Sequence, residues 1–352
     1  MVPFAGFAMP VQYEGIIAEH LWTRANAGLF DVSHMGQLVV SGPGAELALE
    51  ALMPIDLSTL GQGAQRYSLL LNDAGGILDD LMVTRWPGGF FLVVNGATKA
   101  ADIAHITACL PQGVSLTERA DHGLLALQGP RAVEALASLN LEPALPGIVP
   151  VDALWFMQAG PYRRNGVDLH VSRSGYSGED GFEIAVPVSA IADFADALAA
   201  HPAARPIGLG ARDSLRLEAG LPLYGHDLTP DIDPIAAGLG FAVARRRRVE
   251  GGFPGHGAIS GVPARRRVGL SVAGRLAARE GAIVLAGDAP VGVVTSGGFA
   301  PSLDHPIAMA MVDAAHAVSG TELSIDVRGR PVAARIVPLP FVPHRYYRKG
   351  GI

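Results

Sequence analysis

The chain has almost none of two residue types that many enzyme chemistries require. Of 352 residues one is cysteine, Cys109, and two are lysine, Lys99 and Lys349. A single cysteine excludes an intrachain disulfide, a cysteine-rich zinc site and a cysteine-ligated iron–sulfur cluster, and it fits a reducing compartment. Scarce lysine leaves almost no candidate for a phosphate-binding G-x-x-x-x-G-K-[ST] loop or for a Schiff base. The eleven histidines never form H-E-x-x-H, and neither G-x-G-x-x-G nor G-x-S-x-G occurs. Zinc proteases, dinucleotide dehydrogenases and ordinary serine hydrolases therefore lose their usual signatures. No apolar run is long enough to span a bilayer, and no basic residue precedes Arg24, unlike a secretory or mitochondrial leader. With 27 Lys plus Arg against 33 Asp plus Glu, the formal charge of −6 argues against a broad nucleic-acid or anionic-membrane footprint. These absences predict a soluble, cytoplasmic chain without nucleic-acid or membrane partners.

What is present suits a globular protein of two or three domains, with 49% hydrophobic residues to fill its cores. GQLVVSG (36–42) is β-rich, and Gly-Pro-Gly leads into a helical stretch, AELALEALM (45–53). The same order of strand, Gly-Pro and helix returns at GLLALQGPRAVEALASL (123–139), a hint of a repeated unit. Between the copies, RYSLLLN (66–72) and GILDDLMVTRW (76–86) flank an NDAG hairpin turn. FFLVVNG (90–96) and a helical ATKAADIAHITACL (97–110) follow. Such an order predicts α+β layers on antiparallel sheet rather than a doubly wound parallel sheet. GVDLHVSRS (166–174) and FEIAVPV (182–188) read as strands around a glycine-rich corner, and 191–200 and 211–221 as helices. Two arginine runs, 245–248 and 265–267, bracket a Gly/Pro-rich stretch that reads as a solvated linker. Six short strand-like runs beyond it predict a small barrel or sandwich.

Four places carry candidate chemistry. Asp79-Asp80 interrupts an apolar strand, whose alternation puts Leu78, Asp80 and Met82 on one face and Asp79, Leu81 and Val83 on the other. At least one carboxylate therefore points into a half-buried region and needs a partner or a ligand; a turn-capping or edge-strand role is the plainer alternative. In GYSGEDGFEI (175–184), Glu183 faces away from Phe182 and Ile184. It is either solvent-facing or set in a cavity wall, where a carboxylate can accept from two adjacent N–H donors of a flat heterocycle. Arg212 and Arg216 share one helical face with Asp213 and Glu218 as possible mates, the pattern of an ion-paired surface helix. FVPHRYY (341–347) puts adjacent tyrosines near a terminus, which suggests packing or a contact.

Taken in order, MVPFAGFAMPVQY (1–13), GLFDVSHMGQ (28–37), RYSLLLNDAGGILDDLMV (66–83), GYSGEDGFEI (175–184), ARDSLRLEAGLPLYGHD (211–227), RRRVGL (265–270), GVVTSG (292–297) and FVPHRYY (341–347) resemble the aminomethyltransferase (glycine cleavage system T-protein) family over nearly the whole chain. That resemblance implies a three-domain cloverleaf with a ferredoxin-like component around a central folate channel, and a C-terminal β-barrel. It divides the chain into a folate-binding region of two interleaved α+β subdomains (1–245), a linker (246–264) and the barrel domain (265–352). It also implies transfer of a one-carbon unit from the aminomethyl-lipoyl arm of H-protein to tetrahydrofolate, with release of ammonia. In that mapping Asp80 is the catalytic aspartate, and Met35, Tyr67, Tyr176, Glu183, Arg212 and Tyr346 contact folate, with Val94 and Asn95 as wall residues. A start at Met1, shorter than usual in the family, the arginine-heavy RRRRVEGGFPG and the linker before RRRVGL depart from the pattern and bear on H-protein docking. The same fold serves folate-dependent demethylases of small methylated compounds and a folate-binding iron–sulfur assembly factor. The latter carries K-G-C-Y-x-G-Q-E, where this chain has EAGLPLYGHD.

Overall fold

The apolar runs that read as strands pair within three sheet-based bodies. In the computed structural model, which describes residues 1–259 and 261–349, the first body is a five-stranded antiparallel sheet. Its order is Gln65–Leu71, Ile77–Trp86, Gly89–Val94, Gly36–Ser41, Ser115–Glu118. Helices Ala45–Glu50 and Lys99–Cys109 bury Ala45, Leu49 and Ile106 against Leu38, Val40, Leu81, Val83 and Leu92 of that sheet. The second body is a seven-stranded sheet in the order Glu142–Pro143, Ala159–Arg164, Val167–Ser172, Gly181–Pro187, His122–Gln128, Ala27–Asp31, Ala204–Pro206. It is antiparallel except at its last pair, which is parallel. That departure from the all-antiparallel expectation arises because these two strands lie far apart in sequence and no hairpin dictates their direction. The third body is the expected barrel, closed where Arg265–Val272 pairs with both His305–Asp313 and Pro331–Val337. Residue 260 of the expected linker and residues 350–352 of the expected barrel domain lie outside the described residues.

The suspected repeat is a structural echo, one copy in each of the first two bodies. The glycine that ends each strand is needed for the same reason. Gly42 (φ 119°) and Gly129 (φ 133°) lie where a Cβ would come 2.1 Å from a backbone oxygen, that of Gly113 or Asn26 respectively.

The two sheets face each other across a layer containing Phe30, Val32, Phe91, Val93, Leu124, Ala126 and Ala185, with Met82 and Trp86 at its edge. Strand Ile77–Trp86 thus has an apolar layer on either side, which is why neither face reads as solvent-facing. One detail of the expected alternation fails. A bulge pairs Leu70 with Asp79 and Leu71 with Ile77, so Leu78 is the extra residue and packs with Leu81 and Val83 instead of with Met82.

The arginine run 245–248 is not a solvated linker. It opens helix Arg245–Glu250, where Arg247 is 7% exposed and donates to the carbonyls of Glu50 and Gly252. Arg246 pairs with Glu50 (2.6 Å), Asp56 (3.0 Å) and Glu250 (2.7 Å). Two of those carboxylates stand about two hundred residues away, so local composition could not announce them. Among the described residues no helix is long and apolar enough to cross a membrane.

Helix Leu209–Glu218 is the junction of the bodies. Arg216 pairs with Asp213 (2.7 Å) and with fully buried Asp227 (2.9 Å), and donates to Ser296 Oγ on the barrel. Asp227 also accepts from Thr295 Oγ1, Ser296 Oγ and Leu223 N. Glu218, expected as a mate for the helix arginines, instead accepts from Arg24 (2.8 Å) and from the amide of Ser302. Removing one partner of a buried ion pair leaves the other charge desolvated. Asp227→Ala is therefore expected to destabilise the protein by about 3–5 kcal/mol and Asp227→Asn by less, read as the shift in thermal or urea unfolding.

Candidate active site

The NDAGG turn sets the position of the Asp79-Asp80 pair. Asn72 Oδ1 accepts from Gly76 N (2.9 Å), and Asn72 Nδ2 donates to the carbonyl of Pro230 (2.9 Å). Asn72 thus satisfies the turn by itself, and neither aspartate is a turn cap. Asp80 pairs in register with Leu69, which leaves Tyr67 as its diagonal neighbour on the same face. Tyr67 Oη donates to Asp80 Oδ2 at 3.0 Å. Asn95, just past strand Gly89–Val94, donates from Nδ2 to Asp80 Oδ1 (2.8 Å), the Asp80 carbonyl (3.1 Å) and Asp79 Oδ1 (2.9 Å), and from its backbone N–H to Asp79 Oδ2 (3.1 Å).

Asp79 points the other way, is wholly buried, and lies near Asp102 of helix Lys99–Cys109. Burial, then the Asp102 charge, pushes the Asp79 carboxyl well above the ordinary carboxylate range. Burial, then the Asp79 charge, raises Asp80 likewise, while the Tyr67 and Asn95 hydrogen bonds pull it down. Asp102 is raised mainly by burial. Three carboxyls in one corner therefore titrate as a set.

Five of the expected folate-site residues share one property. Tyr67, Asp80, Tyr176, Glu183 and Arg212 each lie deep in the protein yet keep accessible surface, as groups lining an internal space do. Tyr176 Oη donates to the carbonyl of Pro222 (2.5 Å), and the Arg212 guanidinium lies 4.9 Å over its ring. Glu183 turns its back on Phe182 and Ile184, which fill the core of the second body. Ser174 Oγ donates to Glu183 Oε2 (3.1 Å), and Oε1 has no hydrogen bond among the described residues. Burial raises the Glu183 carboxyl, partly offset by Arg212. Met35 packs at the edge of the layer between the sheets.

Three expected residues are placed differently. Asn95 is less a wall than the clamp on both aspartates. Val94 is fully buried among Leu38, Leu92 and Ile106, so its side chain belongs to the core and only its backbone borders the Asp80 corner. Tyr346 stacks on Phe156 (3.9 Å, 6° between planes) and meets His344; no described contact joins it to the Asp80 group. The tail that carries it is docked, with Arg345 N donating to the carbonyl of Gly178. Reading the sequence missed Asp102, Phe241 and Arg267. Phe241 lies 5.9 Å from the Tyr67 ring. Arg267, half-buried, donates to the carbonyls of Ala237 and Gly220, and its charge reaches Tyr67 and Tyr176. An acidic residue inside the apolar stripe that holds Ile106 was the one available signal for Asp102.

The carboxyls of Asp79, Asp80 and Asp102 hold protons more tightly folded than unfolded. Their contribution to stability is full below the ordinary value of 3.8 and is lost as pH rises through the raised values. Asp79→Asn, which mimics the protonated form, is expected to raise the melting temperature at pH 8 by on the order of a few degrees and much less at pH 4, as measured by scanning calorimetry.

Comparison with known proteins identifies the family. Residues 1–247 match the model of the GCVT N-terminal domain, and 265–343 that of the glycine cleavage T-protein C-terminal barrel domain. The chain is 43% identical to an aminomethyltransferase of Cutibacterium acnes, over 96% of this chain and 93% of the relative. It is 40% identical to the mitochondrial aminomethyltransferase of Dictyostelium discoideum, over 98% and 90%. The crystal structure of glycine cleavage system aminomethyltransferase T from Bartonella henselae superposes with a TM-score of 0.92 at 42% identity, covering 99% of this chain and 95% of that one. Neither the demethylase nor the assembly-factor alternative is favoured by these relatives. Matched by both family models and similar along nearly its full length to enzymes of one activity, the chain belongs to the aminomethyltransferase (glycine cleavage T-protein) family.

Proposed function

We propose that the chain takes the one-carbon unit from an aminomethyl-lipoyl arm carried by H-protein and passes it to tetrahydrofolate. Ammonia leaves, a dihydrolipoyl arm remains, and 5,10-methylene-tetrahydrofolate is the product. The observation that supports this most is the Asp80 carboxylate, held on one oxygen by Tyr67 and on the other by Asn95 and keeping some accessible surface deep in the protein. The division into a folate-binding part (1–245), a connecting segment (246–264) and a barrel domain (265–352) belongs to the same reading and is supported by where the two family models end and begin. The setting we infer is cytoplasmic, where the exposed thiol of Cys109 stays reduced.

The donor set suits a reduced pterin. Glu183 offers a free oxygen beside the one held by Ser174, the geometry for accepting two adjacent N–H groups of an aminopyrimidinone edge. Tyr67, Tyr176, Met35 and the Arg212 guanidinium supply flat or polarisable surface and a fixed positive charge around it. Tetrahydrofolate supplies the nucleophilic nitrogen that attacks the methylene carbon. Positive charge develops on that carbon as ammonia departs. Asp80, already anchored by two donors, can face that charge without reorganising, which is the efficient form of electrostatic catalysis. A carboxyl shifted toward neutrality is also able to accept and return a proton at the reacting nitrogen. Asp79 behind it acts through Asp80, whose proton affinity its charge raises, and the Asp102 charge in turn raises Asp79.

The direct test is to mix the purified protein with tetrahydrofolate and aminomethylated lipoyl H-protein and measure ammonia. Release that requires both partners is expected; release from a free methylated compound instead would reject this reading. Asp80→Asn is expected to keep folate binding and lose at least about a hundredfold in kcat. The acid limb of kcat carries a further expectation. Asp79→Asn removes a like charge and moves that limb about one unit toward acid, whereas Tyr67→Phe removes a hydrogen bond to the ionised form and moves it toward base. Shifts in the same direction would show that Asp80 does not govern the limb.

A further inference from the structure

Few residues other than glycine take a left-handed backbone here, and Asn140, Asn165 and Asp304 among them are of types that tolerate it. Met157, at φ 68°, is not. A bulky side chain in that conformation asks for a reason. Met157 is the third residue of a turn, closed by Gln158 N donating to the Trp155 carbonyl (2.9 Å) and by Trp155 N donating to Gln158 Oε1 (3.0 Å). A type II turn demands a positive φ at that position, and glycine usually supplies it.

The turn is pinned from two sides. Met157 N donates to the carbonyl of Arg173, and Gln65 N donates to the carbonyl of Met157, each at 2.9 Å. Arg173 precedes Ser174, which holds Glu183, and Gln65 opens the strand that carries Tyr67. One residue thus ties the first sheet to the end of strand Val167–Ser172 in the second.

Phe156, just before it, faces the C-terminal tail. Its N–H donates to the carbonyl of Tyr347 (2.7 Å), and its ring lies flat on that of Tyr346. Arg348 lies against both rings, 5.3 Å from Phe156 and 5.7 Å from Tyr346. The tail runs along both ends of the glycine-rich corner that carries Tyr176. Arg345 N donates to the carbonyl of Gly178 (2.8 Å), and the Arg173 guanidinium lies 4.3 Å over the Tyr347 ring. Tyr346 lies deep yet keeps accessible surface, as the five site residues do, and its hydroxyl has no hydrogen bond among the described residues. The ring is held and the hydroxyl is not.

We propose that Phe156, presented by the strained turn at Met157, is a positioning residue that fixes the Tyr346 ring with its hydroxyl toward bound tetrahydrofolate. The inference rests on the folate reading above and adds a residue that touches no ligand itself. A tyrosine on a terminal tail would otherwise have to be ordered on binding, which costs affinity, whereas a stacked aromatic pair is ordered beforehand. A binding group set in place acts on the ground state and transition state alike, so its loss shows in Kd and KM rather than in kcat.

Calorimetric titration of the full chain with tetrahydrofolate, alongside KM and kcat, tests this. Phe156→Leu is expected to weaken folate binding about tenfold and raise KM to match, with kcat little changed. Phe156→Tyr keeps a ring that can stack and is expected to bind as wild type. Met157→Val, whose branched side chain resists φ 68°, is expected to weaken binding as Phe156→Leu does, while Met157→Gly retains it. In a Tyr346→Leu background, Phe156→Leu is expected to cost nothing further. Equal affinity in wild type and Phe156→Leu would overturn the proposal. So would a loss as large with Tyr346→Leu as without it, which marks a merely structural role, or a loss confined to kcat. Should Phe156→Leu fail to fold, Met157→Val against Met157→Gly decides by the same readouts. Wild type that binds no tetrahydrofolate would reject the folate reading and this proposal with it; wild type and Phe156→Leu binding alike would reject this proposal alone.

Discussion

Three carboxyl groups, those of Asp79, Asp80 and Asp102, are gathered in one poorly hydrated corner, and much of the first body is arranged to tolerate them. Ionising a buried carboxyl beside another is unfavourable, so each of the three holds its proton more tightly than it would in water. Asn95 is placed to donate to two of them at once, and Tyr67 to Asp80. The tight NDAGG turn, pinned to Pro230 through Asn72, sets the strand so that these donors meet their acceptors. What the corner loses in stability it returns as a carboxylate whose proton affinity is tuned and whose position is set before any substrate arrives.

The central helix separates two jobs that its sequence makes look alike. Arg212 and Arg216 are one turn apart, yet Arg212 lies over Tyr176 and faces Glu183, whereas Arg216 is locked to Asp213, Asp227 and Ser296. The first keeps some accessible surface; the second fastens the barrel to the rest of the molecule. Arg267 reaches back from the barrel to the carbonyls of Gly220 and Ala237, a second fastening of the barrel to the rest of the molecule. A barrel held by desolvated ion pairs is fixed firmly against its neighbours.

Strand Ile77–Trp86 has an unusual position, with an apolar layer on both faces and polar groups at intervals along the face that meets the second sheet. Asp80 lies at one end of that face and Thr84 nearer the other, with Met82 between them. A buried strand with polar residues has to satisfy each of them. At Asp80 the protein does so with its own donors, Tyr67 and Asn95.

Much of this was legible from the chain alone. Strand and helix runs, the six barrel strands, the strand–helix echo and the oddity of Asp79-Asp80 follow from local periodicity and from glycine and proline punctuation, which act over a few residues. The direction in which Glu183 points came from alternation, and the docking of the tail from its paired tyrosines. What no local pattern could supply was the identity of partners: that Arg246 meets Glu50 and Asp56, that Arg216 and Asp227 clasp the barrel, that Val94 fills the core while Asn95 grips both aspartates, or that a bulge carries Leu78 to the opposite side of its strand. Periodicity is a property of neighbouring residues and belongs to the sequence, whereas charge pairing and burial join segments two hundred and more residues apart. Only the packing of the three bodies brings those segments together.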